Sequence, residues 1–193
     1  MGLLTTLTGN YSAAYGAKLA RVQLIAAYPI TPQTTIVEKL AEFVEKGELN
    51  AKFIRVESEH SAMAAVIGAA TTGLRTFTAT SSHGIAYLHE IVICAAGIRM
   101  PIVMAVVGRA FGPGWNIWNE HTDMLMERDT GWIIYMCEHN QEVLDTVIQA
   151  YRVSEDERVL LPSIIGLDAF ILSHTSMPVD IPDQELVDGF LPP

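Results

Sequence analysis

"VQLIAAYPITPQTTIVEKL", residues 22–40, runs from a continuous apolar stretch through a turn bracketed by two prolines into an amphipathic stripe. Each proline locks its own φ and pushes the residue before it out of the helical region, so the turn is rigid. The apolar stretch reads as a strand covered on both faces. Beyond it, Ile36, Val37, Leu40, Ala41 and Val44 fall on one side of a helix over 32–46. Thr31 stands where an N-cap would, with Pro32 at the first helical position.

The same alternation recurs along the chain. Continuous apolar runs predict strands at 22–28, 52–57, 75–80, 101–108, 132–138 and 159–167. Residues 141–154 carry a helical stripe of Leu144, Val147, Ile148 and Tyr151. Residues 59–71 are small and apolar nearly all round, which predicts a helix buried in close contact. Strand following helix in this way predicts an α/β fold, a doubly wound and mainly parallel sheet of about six strands with helices on both faces. Residues 109–131 are too long for a plain connector and are expected to form a functional loop. The Pro- and Asp-rich tail predicts a domain over residues 1–178 and, over 179–193, the start of a linker to a further domain.

Composition removes several function classes. The net charge of −10 disfavours nucleic acid and anionic membrane surfaces as partners. The most apolar region, 85–107, is interrupted by His89, Glu90, Arg99 and Pro101, so no membrane span is expected. The start, "MGLLTTLTGN", lacks a basic segment followed by an apolar run, so no signal peptide is expected and a reducing, cytoplasmic location is the default. Cys94 and Cys137 stand far apart, without CxxC spacing, which argues against disulfides and against an iron–sulfur or zinc site built by this chain. No two histidines have helical ligand spacing, and no metal site is expected.

Ligands of open parallel sheets bind at the carboxyl ends of the strands. Four such ends carry polar groups here. The first has Tyr28, Pro29, Ile30, Thr31 and Pro32, and the second has Glu57, Ser58, Glu59 and His60. The third has Ser81, Ser82, His83 and Gly84, and the fourth has Arg109. Thr31 has a capping explanation, and Glu59 has one as a carboxylate at a helix N-terminus. Arg109 ends the apolar run "VMAVVG" and needs an anion for its fork of donors. The chain has no GxSxG, no GxxxxGK[ST], no GxGxxG after a strand, and no Gly-Asp-Gly with a distant Asn.

Four stretches, "TGNYSAAYGAKLARVQLIAAYPITPQTTIVEKL", "VESEHSAMAAVIGAATTGLRTFTATSSHGI", "NIWNEHTDMLMERDTGW" and "PDQELVDGFLPP", resemble in order the α subunit of 2-oxoacid:ferredoxin oxidoreductases, of which pyruvate:ferredoxin oxidoreductase is the type. The resemblance implies the pyrimidine-binding domain of a thiamine diphosphate enzyme. It also implies a β subunit that holds Mg²⁺ and the diphosphate through the Gly-Asp-Gly motif missing here, and an iron–sulfur, ferredoxin-like subunit with [4Fe-4S] clusters. The implied reaction is oxidative decarboxylation of a 2-oxoacid with CoA.

By the same resemblance, Glu59 is the catalytic carboxylate that meets N1′ of the aminopyrimidine, and Thr31 and Arg109 bind substrate. Tyr28, Pro29, Ile30, Ser82 and His83 border the cofactor. The chain departs from the usual pattern at Ser82-His83-Gly84, at "AFGPGW" after Arg109, and at Glu120-His121-Thr122-Asp123. These departures point to pyruvate or to a bulkier 2-oxoacid such as phenylglyoxylate. The competing reading is a scaffold subunit that keeps the fold without turnover.

Overall fold

The computed structural model describes residues 2–193, which run β1 (Leu3–Thr8), α1 (Gly9–Leu19), β2 (Leu24–Ala27), α2 (Thr34–Glu45), β3 (Lys52–Arg55), α3 (Glu59–Ala70), β4 (Thr76–Thr80), α4 (His83–Gly97), β5 (Val103–Gly108), α5 (Thr122–Leu125), β6 (Ile133–Met136), α6 (Asn140–Ser154), β7 (Ser163–Asp168), β8 (Ser176–Ile181) and α7 (Gln184–Phe190). Six strands form a wholly parallel sheet in the order β3-β2-β4-β5-β7-β6. Each lies within or overlaps an apolar run expected to be a strand. The last starts late, at Ser163, because Leu160 takes a positive φ (43°) and the chain is still turning there.

Strand β5 shows why such runs need no alternation. Val103, Ala105 and Val107 share one core with α1, α2 and α6. Met104 and Val106 share the other with α3 and α4. Side chains still alternate between faces, but both faces are covered, so every residue is apolar. The outer strands β3 and β6 are only half-buried. Inside the first core, the Tyr151 hydroxyl donates to Thr76 O at 2.7 Å, which ties α6 to the sheet.

Three expectations change. Helix α2 begins at Thr34, with Gln33 at its N-cap, so Thr31 is not the cap and Pro32 is not the first helical residue. One further turn, closed by Gln33 N–H to Ile30 O at 2.9 Å, comes first. Helix α3 buries Ala62, Met63, Val66 and Ala70, but Ala64 and Gly68 on its other side are exposed. Residues 179–193, expected to start a linker, are bound back onto the domain. β8 pairs antiparallel with β1 from Leu3↔Ile181 to Thr8↔Ser176, and Val187 and Leu191 are buried in the first core. Among the described residues no helix is long and apolar enough to cross a membrane.

Helices α1 and α6 approach closely because α1 presents Ala13, Gly16 and Ala17. A Cβ at Gly16 would lie 2.8 Å from Val147 Cβ and 2.9 Å from Leu144 O, neither of which can swing aside. Alanine should gain about 1 kcal/mol in helix propensity, and overpacking costs about 1–3 kcal/mol. Gly16→Ala is therefore expected to lower the denaturation midpoint of this domain. A rise would show that α1 and α6 separate freely.

Candidate active site

The turn after β2 is held by two buried amides. Gln33 Nε2 donates to Tyr28 O at 2.8 Å and to Ala79 O, near the end of β4, at 3.2 Å. Asn10, on the first turn of α1, donates through Nδ2 to Pro32 O at 2.7 Å and to Thr35 Oγ1 at 2.8 Å. Tyr28, Pro29 and Thr31 are consequently exposed on a turn whose backbone is pinned from below, with Ile30 half-buried. Neither amide was singled out from the sequence, though Gln33 directly follows the double-proline turn.

Arg109 joins this turn to the end of β5. Its Nη1 donates to Thr31 O at 2.7 Å, while its Nε is buried without a partner. The two expected substrate residues therefore meet. The loop behind Arg109 folds back antiparallel, with Arg109 and Asn119 forming a bridge.

The end of β4 presents Ser82 and His83. Ser82 takes φ 46° and ψ −122°, a conformation that costs a non-glycine residue about 1–3 kcal/mol. Its N–H donates to Asp123 Oδ2 at 2.8 Å and its hydroxyl to Ala110 O at 2.9 Å. The His83 ring then fits as its Nδ1–H tautomer, donating to Ser82 Oγ (3.2 Å) and accepting from Gly112 N–H at Nε2 (3.4 Å). Phe111 meets the imidazole edge-on, with centroids 5.3 Å apart, and Trp115 lies 5.6 Å away.

At the end of β3, two carboxylates of one short motif have different fates. Ser61 donates to Glu57 at 2.6 Å and holds that carboxyl below its usual range. Glu59, at the start of α3 behind the Ser58 cap, has no hydrogen-bond partner among the described residues. Its carboxyl group lies over Gly84, where a Cβ would stand 2.9 Å from Oε1 and closer still to the Thr80 hydroxyl. Glycine at 84 leaves a cradle that any side chain would fill.

Around these strand ends Gln33 Oε1, Thr80 Oγ1, Ser81 Oγ and Arg109 Nε are all buried and unpaired. Orphaned polar atoms are rare in native interiors, and so many at one edge of a sheet suit a polar ligand. The other histidines do not join the site: His121 pairs with Asp168 (2.7 Å), His89 with the buried Glu127 (2.9 Å), and His60 with Glu90 (3.1 Å).

The family model described as pyruvate flavodoxin/ferredoxin oxidoreductase, thiamine diphosphate-binding, matches residues 15–193. The chain belongs to this family. Its relatives include the pyruvate synthase subunit PorA of Methanocaldococcus jannaschii, 60% identical over 96% of this chain and 48% of that protein. The ketoisovalerate oxidoreductase subunit VorA of Pyrococcus furiosus is 57% identical over 97% of this chain and 47% of that one. This family member thus spans about half the length of the curated relatives it matches. Its fold matches that of a 2-oxoglutarate:ferredoxin oxidoreductase from Magnetococcus marinus, with a TM-score of 0.84 at 24% identity, over 94% of this chain and 32% of that one.

The Gly84 cradle can be tested without a ligand. Gly84→Ala places a methyl group against the Thr80 hydroxyl and the Glu59 carboxylate. It is expected to cost about 1–3 kcal/mol in chemical denaturation, although alanine is the better helix former. Thr80→Ala in the same chain should recover most of that loss. Unchanged stability of Gly84→Ala would mean that the cradle is loose.

Proposed function

We propose that this chain supplies the pyrimidine-binding half of the active site in a thiamine diphosphate-dependent 2-oxoacid:ferredoxin oxidoreductase. The reaction converts a 2-oxoacid and CoA to an acyl-CoA, CO₂, one proton and two electrons, the electrons passing to ferredoxin. The observation that carries this reading is the pairing of an unpartnered Glu59 over the Gly84 cradle with an Arg109 steered by Thr31 at neighbouring strand ends.

The residues present fit the cofactor. The buried, unpaired Gln33 Oε1, Thr80 Oγ1 and Ser81 Oγ surround an edge where a polar heterocycle would find partners. Thiamine diphosphate, when bound, supplies the electron sink that makes loss of CO₂ feasible. Glu59 would hold a proton at N1′ of the pyrimidine, the task of a general acid–base group. Tyr28, Pro29, Ile30, Ser82 and His83 would border the ring. Arg109 keeps its Nε–H and remaining Nη donors for a carboxylate, and Thr31 sits beside it. Phe111 and Trp115, packed on His83, would exclude water from above.

In this reading Mg²⁺ and the diphosphate group fall to a β subunit, because this sequence carries no Gly-Asp-Gly with a distant Asn. The [4Fe-4S] clusters fall to an iron–sulfur subunit, because Cys94 and Cys137 stand apart. The exposed Ala64 and Gly68 of α3, with exposed Tyr87, Ile93 and Ile98 of α4 and its end, give an apolar face that suits the β subunit. A cytoplasmic location is part of this reading, supported by the two free cysteines, which suit a reducing compartment. The relatives' names favour a small aliphatic 2-oxoacid, pyruvate or 2-oxoisovalerate, over an aromatic one such as phenylglyoxylate.

The test is CoA-dependent reduction of a viologen dye by the intact complex, comparing pyruvate, 2-oxoisovalerate, 2-oxoglutarate and phenylglyoxylate. Turnover of a small aliphatic acid is expected. Silence with all of them would favour the scaffold reading. In the same complex Glu59→Gln is expected to slow C2 proton exchange of bound thiamine diphosphate by about 10²–10⁴-fold, followed by NMR. Exchange at the wild-type rate would return the role to Glu57 or to no carboxylate here. Arg109→Lys keeps the charge but loses the fork, and should lower kcat/KM by a factor equivalent to about 1.5–3 kcal/mol. A harmless lysine would remove Arg109 from substrate binding.

A further inference from the structure

Strands β4 and β5 pair in parallel up to Thr80↔Val106 and then part. β4 turns away into α4 through Ser82, while β5 continues beside β7 to Gly108. Past that point no ladder relates the two chains, yet His83 hangs from one and Arg109 from the other. Besides the Ser82 hydroxyl on Ala110 O, one buried carboxylate spans the gap. Asp123 Oδ2 accepts from Ser82 N–H at 2.8 Å and from Arg109 N–H at 3.0 Å, while Oδ1 accepts from Met124 N–H at 2.8 Å.

We propose that Asp123 is a positioning residue: its carboxylate fixes Arg109 and the Ser82-His83 turn at one relative distance, so that the guanidinium that takes the substrate keeps one spacing from the turn that borders the cofactor ring. The assignment rests on the functional reading above. Asp123 is fully buried, and among the described residues its oxygens meet no cationic side chain, so its bonds go to backbone amides. Burial pushes its carboxyl up to about 6, against the pull of the three amide donors, and nearby Glu120 adds to the rise. The Ser82 hydroxyl also reaches across, to Ala110 O at 2.9 Å. Only the Asp123 carboxylate bonds the Ser82 and Arg109 amides at once, and a carboxylate held at such cost is expected where a short, two-amide bridge is needed. The strained Ser82 backbone is the second sign, since such conformations persist only where neighbours impose them.

In the intact complex Asp123→Asn keeps the volume, but its amide sets an N–H donor against backbone N–H groups whichever way it turns. The expected result is an assembled complex whose KM for the 2-oxoacid rises about tenfold to a hundredfold, the scale of one charge-assisted hydrogen bond. C2 proton exchange of the bound cofactor, which depends on Glu59, should stay at the wild-type rate. A general loosening of the fold would slow both, and that outcome overturns the proposal. In an Arg109→Lys background the same change should cost much less, because Asp123 then acts through a residue already impaired; full additivity overturns it. Amide hydrogen exchange gives a readout free of turnover. The Ser82 and Arg109 amides should exchange slowly in the wild type and speed up together in Asp123→Asn. Rapid exchange of either in the wild type overturns the proposal, even if the variant fails to assemble. A wild-type complex inactive with every 2-oxoacid would refute the functional reading, and amide exchange would still decide the role of Asp123.

Discussion

Parallel pairing in the order β3-β2-β4-β5 sets four neighbouring strand ends side by side, and the polar groups of the site leave the sheet there. In a parallel sheet every connection must cross back by a helix, so each carboxyl end leads into a turn and a helix start. Those turns need their backbone groups paired. Here the pairing is done by side chains from elsewhere: Gln33 on Tyr28 O and Ala79 O, Asn10 on Pro32 O, and Asp123 on Ser82 and Arg109. The groups available to a ligand are what this internal bonding leaves over.

The same economy separates Glu57 from Glu59. Both stand at the end of β3, two residues apart, and composition gives no reason to prefer one. Ser61, one helical turn on, takes Glu57 into a local hydrogen bond. Glu59 has no such neighbour, and the glycine beneath it admits its carboxylate without giving it a donor. A free carboxyl beside a space is left able to bond a group from outside the chain.

What could be read from the sequence follows the range of the interactions. The strands were legible because burial on both faces turns them into apolar runs, as in Val103–Gly108. Arg109 stood out in the sequence because a charged residue ends the apolar run VMAVVG, whereas Thr31 and Glu59 had capping explanations and took site roles only through the family resemblance. The start of α2 was misplaced because Thr31 and Pro32 satisfy the local rules for a helix start, while Gln33 and Asn10 impose a further turn from a distance. Helices α1 and α4 left weak signals, since small and apolar residues surround them without a clear stripe. The tail was misread because β8 alternates exposed and buried residues only against a partner at the other end of the chain. Asn10, Gln33 and Asp123 bond backbone atoms 22, 46, and 41 and 14 residues away, which no short pattern records.

The two-stranded ribbon of β1 and β8 has a consequence for biosynthesis. Thr8 leaves the ribosome long before Ser176, its partner, has been made. At about 5–20 residues per second, β1 waits on the order of ten to thirty seconds with both edges unpaired. Leu3 and Leu4, still exposed in the folded chain, are then part of a sticky strand edge on the nascent polypeptide. The six-stranded sheet can assemble during that interval, since its strands all lie between the two halves of the ribbon. The ribbon then fastens β1 to a segment translated after the last strand of the sheet.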